Sequence, residues 1–135
     1  VTVDGPVQRS DVAAGSERLR ALRGATTAAR DTSDAIGYRT AELVGRLLER
    51  NELVVEDIVS VIFTATPDLR ADFPAVAARG AGLSQTPLLC CQEIPVEGAI
   101  ERCIRVLMHV YLPRDRAVHH VYLHGARQLR LDLPE

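Results

Sequence analysis

The chain has 135 residues, 47% of them hydrophobic and 25% charged, with a formal net charge of −2. That balance is ordinary for one globular domain with its own core, and it leaves no electrostatic footprint for nucleic acid or an anionic membrane. No apolar run approaches the roughly 18–20 residues of a membrane span, and an aromatic content of 4% without Trp makes the core aliphatic.

All 16 basic residues are Arg, so only an Arg in an unusual position is informative. The three Cys are an odd number without a C-x-x-C pair, and the N-terminal stretch carries no apolar signal-peptide core. A reducing cytoplasm is therefore the expected compartment. His120 and His124 stand four apart beside His119, but no cysteine or carboxylate nearby completes a ligand set. They read as surface histidines, and no metal is expected.

Residues 1–16 mix Gly, Pro, Ser and Asp without a period and read as a flexible tail ahead of one domain over 17–135. From Leu19 the pattern alternates, with Leu19, Ala21 and Arg23 on one face, Arg20 and Leu22 on the other, and a strand end at Gly24. Thr26 and Thr27 then turn the chain. Ile36, Thr40, Leu43, Val44, Leu47 and Leu48 recur at helical spacing and predict a helix over 33–50. Asp31, Thr32 and Ser33 are its N-cap candidates, and Asn51 a left-handed stop. Ile58 to Thr64 is a β-branched strand with Val59, Val61 and Phe63 on one face, followed by a turn at Pro67-Asp68. Pro74 suits the first turn of a short helix that Gly80 and Gly82 stop. A third strand over 88–93 ends before Pro95, and a helical turn or two is expected over 98–103. The clearest strand runs from Ile104 to Leu112. Its apolar face is Ile104, Val106, Met108, Val110 and Leu112, and its other face Arg105, Leu107, His109 and Tyr111. After a turn at 113–116, a last strong strand spans 118–123. Strands separated by helices in so short a chain give an α/β (α+β) fold, a mixed sheet with helices packed on one face. The second, semi-polar face meets water or another subunit.

Several side chains could carry chemistry. Arg105 points away from the apolar side of its strand, so it either pairs with a carboxylate across the sheet or serves a ligand. Glu93 is either a solvated strand-end carboxylate or an acceptor in a site. Arg23 stands beside Gly24, which permits close approach of backbone or ligand. Cys90 has no neighbouring base that would make it a nucleophile. It also has the opposite strand parity to Glu93, so the strand must twist or end near Gln92 for both to reach one ligand. Tyr122 offers a phenol, although Tyr in a strand is commonly core.

The segments Arg23-Gly24-Ala25-Thr26-Thr27, Cys90-Cys91-Gln92-Glu93, Cys103-Ile104-Arg105-Val106 and His120-Val121-Tyr122-Leu123 stand in a characteristic order and spacing. Together they resemble the AroH-type chorismate mutases, the small trimeric α/β class, over about Leu19 to Leu133. The resemblance implies a pseudo α/β-barrel homotrimer with sites between subunits. It also implies a cofactor-free isomerisation of chorismate to prephenate. In it, Arg105 faces the breaking ether oxygen, and Glu93 and Cys90 line the ring-hydroxyl site. Arg23 binds a carboxylate, and Arg130 with Leu129 closes over the substrate from the C-terminal side. Phe73 supplies an apolar wall, Arg79 a peripheral carboxylate contact and Tyr122 a phenol. The sequence departs from the family pattern at Val76, where relatives can carry a basic residue. It also departs at Leu89, beside the thiol, and at Leu131, where proline is more usual. A trimeric imine deaminase of the Rid type and a non-catalytic binder of small carboxylates are the rival readings.

Overall fold

The computed structural model describes residues 16–130. The tail expected over 1–16, Ser16 apart, and the departure at Leu131 lie outside them. Five strands form one mixed sheet, β1 (Glu17–Thr27), β2 (Ile58–Ala65), β3 (Leu88–Gln92), β4 (Cys103–Pro113) and β5 (Val121–Tyr122), in the order β3-β2-β4-β1-β5. β4 is antiparallel to β1 and to β2, whereas β3 and β5 lie parallel to β2 and β1. Helix α1 (Ser33–Arg50) and the short α2 (Pro74–Ala78) cover one face.

Alternation decides which face that is. Leu22, Val61, Phe63, Ile104, Val106, Met108, Val110 and Leu112 point at the helices and are buried against Ile36, Leu43, Val44 and Leu47 of α1. Thr32 caps α1, its Oγ1 accepting from the Ala35 N–H at 3.1 Å. Asn51 is not the left-handed residue expected at the helix end, since its φ is −105°. Glu52, at φ 51°, makes that turn instead. The Asn51 side chain is thereby free for other work, and its amide grips both backbone groups of His119 at 2.8 Å.

That grip explains a second difference. The expected strand over 118–123 contracts to Val121–Tyr122. The backbone of His119 is taken by Asn51, and the Arg23 N–H donates to the His120 ring rather than to a carbonyl. Ladder pairing therefore starts only where Gly24 meets Val121. β1 runs through Gly24 to Thr27 and Thr26 and Thr27 belong to it, so the expected strand end was misplaced. Gly24 is required for contact instead: an added Cβ would lie 3.0 Å from Val106, 3.1 Å from Leu43 and 3.1 Å from the Val121 carbonyl.

A β-bulge between Ile58 and Ser60 shifts the parity of β2, so Ile58 is buried and Val59 is exposed, contrary to the pattern. The short helix runs on past Gly80 into a π-type turn over Arg79–Leu83, and Gly82 ends it at φ 113°. No helical turn forms over 98–103. Gly98 takes a left-handed φ of 83°, and Arg102 donates its N–H to Asp68 while its carbonyl accepts the Ala28 N–H.

Candidate active site

Among the described residues, the face of the sheet away from the helices is covered at Ala25 and Cys103 by the turn that carries Ala126 and Leu129, and it is open around Arg105. Register brings Arg23 of β1 beside Leu107, and Arg105 between Ala25 of β1 and Thr64 of β2. Tyr122 of β5 follows next to Ala25. A cleft of about 320 Å³ opens there, lined by Arg23, Gly24, Ile62, Thr64, Arg105 and Tyr122 among others.

Glu93 follows the last residue of β3, its N–H still bonded to the Ala65 carbonyl at 2.9 Å. Its carboxylate reaches the same open face. Oε2 accepts from Arg105 Nε at 2.9 Å and from the Thr64 hydroxyl at 2.5 Å. The first of the two readings of Arg105 is met, since it pairs with a carboxylate, and 45% of its side chain stays exposed at the cleft. The Arg130 guanidinium lies 5.9 Å from the centre of the Tyr122 ring, within cation–π range. Leu129 packs beneath, on the buried cluster of Ala25, Cys103 and Ala126. Cys103 is inert there: burial pushes its thiol up to about 11, with the Arg105 charge opposing.

Other expected residues stand elsewhere. Cys90 pairs with the buried Phe63, so it faces the helix side of β3 and packs on the main core, while Cys91 turns to the open face. Cys90 and the exposed Phe73 line a different cleft of about 300 Å³, with Leu69, Arg70, Asp72 and Pro74. Asp72 sits at that cleft with its carboxyl held below the usual range by hydrogen bonds from Ser33 and the Phe73 N–H. Arg79 is exposed at the end of α2 and lines neither cleft. The geometry therefore gathers Arg23, Arg105 and Tyr122 at one cleft, with Glu93 bonded to Arg105 and Arg130 beside Tyr122, and sets Phe73 and Cys90 at another. Thr64 lines both clefts.

Sequence reasoning missed Thr64 and His120. The parity of β2 could have put Thr64 on the open face, but nothing in the sequence sets the register that aligns it with Arg105. His120 Nδ1 accepts the Arg23 N–H at 3.0 Å, which requires a neutral ring. Burial, then the charges of Arg23, Arg130 and Arg20, lower its pKa. A group with a depressed folded value binds protons more readily when unfolded. Stability from His120 is therefore complete above the unfolded pKa of about 6.5 and is lost as pH falls below it. Thermal melts at pH 7.5 and pH 5 check this: the acid-induced fall in Tm should be smaller in His120→Gln than in the unaltered chain. Equal falls would remove His120 from the account.

Among the described residues, no group of His, Cys, Asp and Glu is arranged to hold a metal, and no helix is long and apolar enough to cross a membrane.

Comparison with known proteins gives the family. Residues 19–133 match the family model described as chorismate mutase type I. The chain is 43% identical over 118 residues to the chorismate mutase AroH of Bacillus subtilis (strain 168), covering 85% of this chain and 92% of that protein. It is 47% identical over 118 residues to the AroH of Thermus thermophilus, covering 85% and 96%. A solved chorismate mutase from Clostridium thermocellum superposes with a TM-score of 0.76 at 47% identity, over 81% of this chain and 98% of that one. The motifs that suggested the family, the sheet that carries them and the match across nearly the whole described chain agree: this protein belongs to the type I chorismate mutases.

Proposed function

We propose that the chain isomerises chorismate to prephenate, supplying the step that leads toward Phe and Tyr, at three sites between neighbouring subunits of a homotrimer. The observation that carries this reading is the Arg105–Glu93 pair on the open part of the sheet face, with Arg23 and Tyr122 in the same cleft as Arg105. The rearrangement is a concerted [3,3] shift in which negative charge grows on the ether oxygen as its C–O bond breaks. A guanidinium already held by a carboxylate meets that charge without reorganising. Arg23 and Arg130 neutralise the two carboxylates of the substrate, and Glu93 takes its ring hydroxyl. No proton is transferred and no cofactor is required.

A rate gain near ~10⁶ needs about 8 kcal/mol. One preorganised charged donor contributes roughly 3–4 kcal/mol, and holding the folded pseudo-diaxial conformer supplies the remainder. The separation of the two clefts supports a shared site. Phe73 and Cys90 line a cleft that Arg105 does not, so a neighbouring subunit would bring its Phe73, Cys90 and Arg79 against this subunit's arginines. Leu19, Leu89 and Tyr111, exposed on the open face, would be covered by the same contact. Free Cys90, Cys91 and Cys103 suit a reducing cytoplasm.

Loss of chorismate ultraviolet absorbance on adding the purified chain tests the reading. Binding without turnover would favour the non-catalytic carboxylate binder instead. Cys90→Ala should lower activity by only a small factor, because a thiol offers a weak hydrogen bond and forms no covalent intermediate here. Complete inactivation of a folded Cys90→Ala protein in that assay would contradict a pericyclic reaction.

A further inference from the structure

We infer that Thr64 is a positioning residue for the reaction, its hydroxyl fixing the Glu93 carboxylate so that Glu93 in turn holds Arg105 at one angle. This rests on the roles proposed above for Glu93 and Arg105. Thr64 and Arg105 are directly opposed across β2 and β4, so their side chains stand next to each other on the open face. Cys91 opposes Thr64 on the other side, and Glu93 lies two residues beyond it. Three strands therefore converge on one carboxylate oxygen. Glu93 Oε2 takes the Thr64 hydroxyl at 2.5 Å and Arg105 Nε at 2.9 Å.

The direction of the first bond is fixed by chemistry. An ionised carboxylate only accepts, so the hydroxyl must donate. Threonine is stiff at χ1 and presents that hydroxyl at little entropic cost. A single ion pair through Nε would let the carboxylate swing about the guanidinium edge. The second donor removes that freedom, because both bonds must be kept at once. Oε1 is then the oxygen that faces a ligand hydroxyl. Thr64 itself lines the cleft with Arg105, but its proton is spent on Glu93 rather than on the ligand. Its effect is on aim, so it belongs to the chemical step more than to binding.

The test is steady-state kinetics on Thr64→Val, Thr64→Ser, Glu93→Ala and the Thr64→Val/Glu93→Ala double variant, at matched folding and oligomer content. Thr64→Val keeps the shape and the strand preference and deletes the donor. Its kcat should fall about tenfold, the usual range for a hydrogen bond to a charged group, while KM changes far less. Thr64→Ser restores the donor and should restore kcat. On the Glu93→Ala background, Thr64→Val should have no further effect on kcat, since nothing remains to be aimed. The inference is overturned by an unchanged kcat in Thr64→Val, by failure of serine to rescue, or by a full additional loss in the double variant. Full activity in Glu93→Ala alone would instead overturn the site reading on which the inference rests.

Discussion

Arg105→Ala should lower kcat by at least ~10² to 10³, the loss expected when a donor facing transition-state charge is removed. KM should rise less, because Arg23 remains in the cleft and Arg130 beside Tyr122. The substitution also strips Glu93 of its ion partner, leaving only the Thr64 hydroxyl. Arg105→Lys keeps the charge but cannot give one nitrogen to Glu93 while others face the ligand in a fixed plane. It should therefore fail substantially as well. Arg130→Ala should act mainly on KM, since Arg130 approaches from the C-terminal turn and not from the sheet. Kinetics on these variants at equal oligomer content separate the roles. Retained kcat in Arg105→Ala, with kcat abolished in Arg130→Ala, would exchange the two assignments.

The second large effect concerns stability. Phe63 is fully buried in β2, flanked by Cys90 on β3 and Val106 on β4. Phe63→Ala removes most of a large side chain from a close-packed interior and should cost about 3–5 kcal/mol. That is a large part of the roughly 5–15 kcal/mol that holds a domain folded. Chemical denaturation followed by circular dichroism should show it, with Tm lowered by more than about 10 °C. Val54→Ala, at an exposed loop position, is the control and should stay within about 0.5 kcal/mol. Equal losses in the two variants would mean that the core is not where the structure puts it. Phe63 also sits between Ile62 and Thr64 of the cleft, so residual activity should follow the folded fraction.

Periodicity carried the parts of the fold that depend on one element alone. The six helically spaced positions of α1, five of them apolar, predicted its span, and the alternation of β4 separated Arg105 from the core. What periodicity could not supply was register and competition for backbone groups. The bulge at Ile58–Ser60 that exposes Val59, and the capture of His119 by Asn51 that shortens β5, are made by partners distant in sequence. Gly24 looked like a strand end because glycine commonly is one. Its cause here is the approach of Val106, Leu43 and the Val121 carbonyl, visible only after the strands pair.

The candidate residues were legible in a different way. Arg23, Glu93, Arg105 and Tyr122 were named from motif order, and the sheet gathers all four at its open face. Thr64 belongs to no motif, and its role exists only because β2 aligns it with Arg105 and β3 delivers Glu93 beside it. Strand parity had warned that Cys90 and Glu93 diverge. In the structure β3 ends at Gln92, and Cys90 faces the helix side while Glu93 meets Thr64 on the open face. On the function proposed above, a ligand that touches both is held between two subunits.

That arrangement can be measured by mixing two inactive variants. Arg105→Ala spoils one half-site, and Phe73→Glu spoils the other by setting a carboxylate against an anionic substrate. Each is purified alone, then the two are unfolded together at equal amounts, refolded and assayed for loss of chorismate absorbance. In a threefold ring with sites between neighbours, one site in four pairs two intact halves. The mixture should recover about a quarter of the activity of the unaltered chain. Activity no greater than the mean of the two refolded parents would contradict a site shared between subunits.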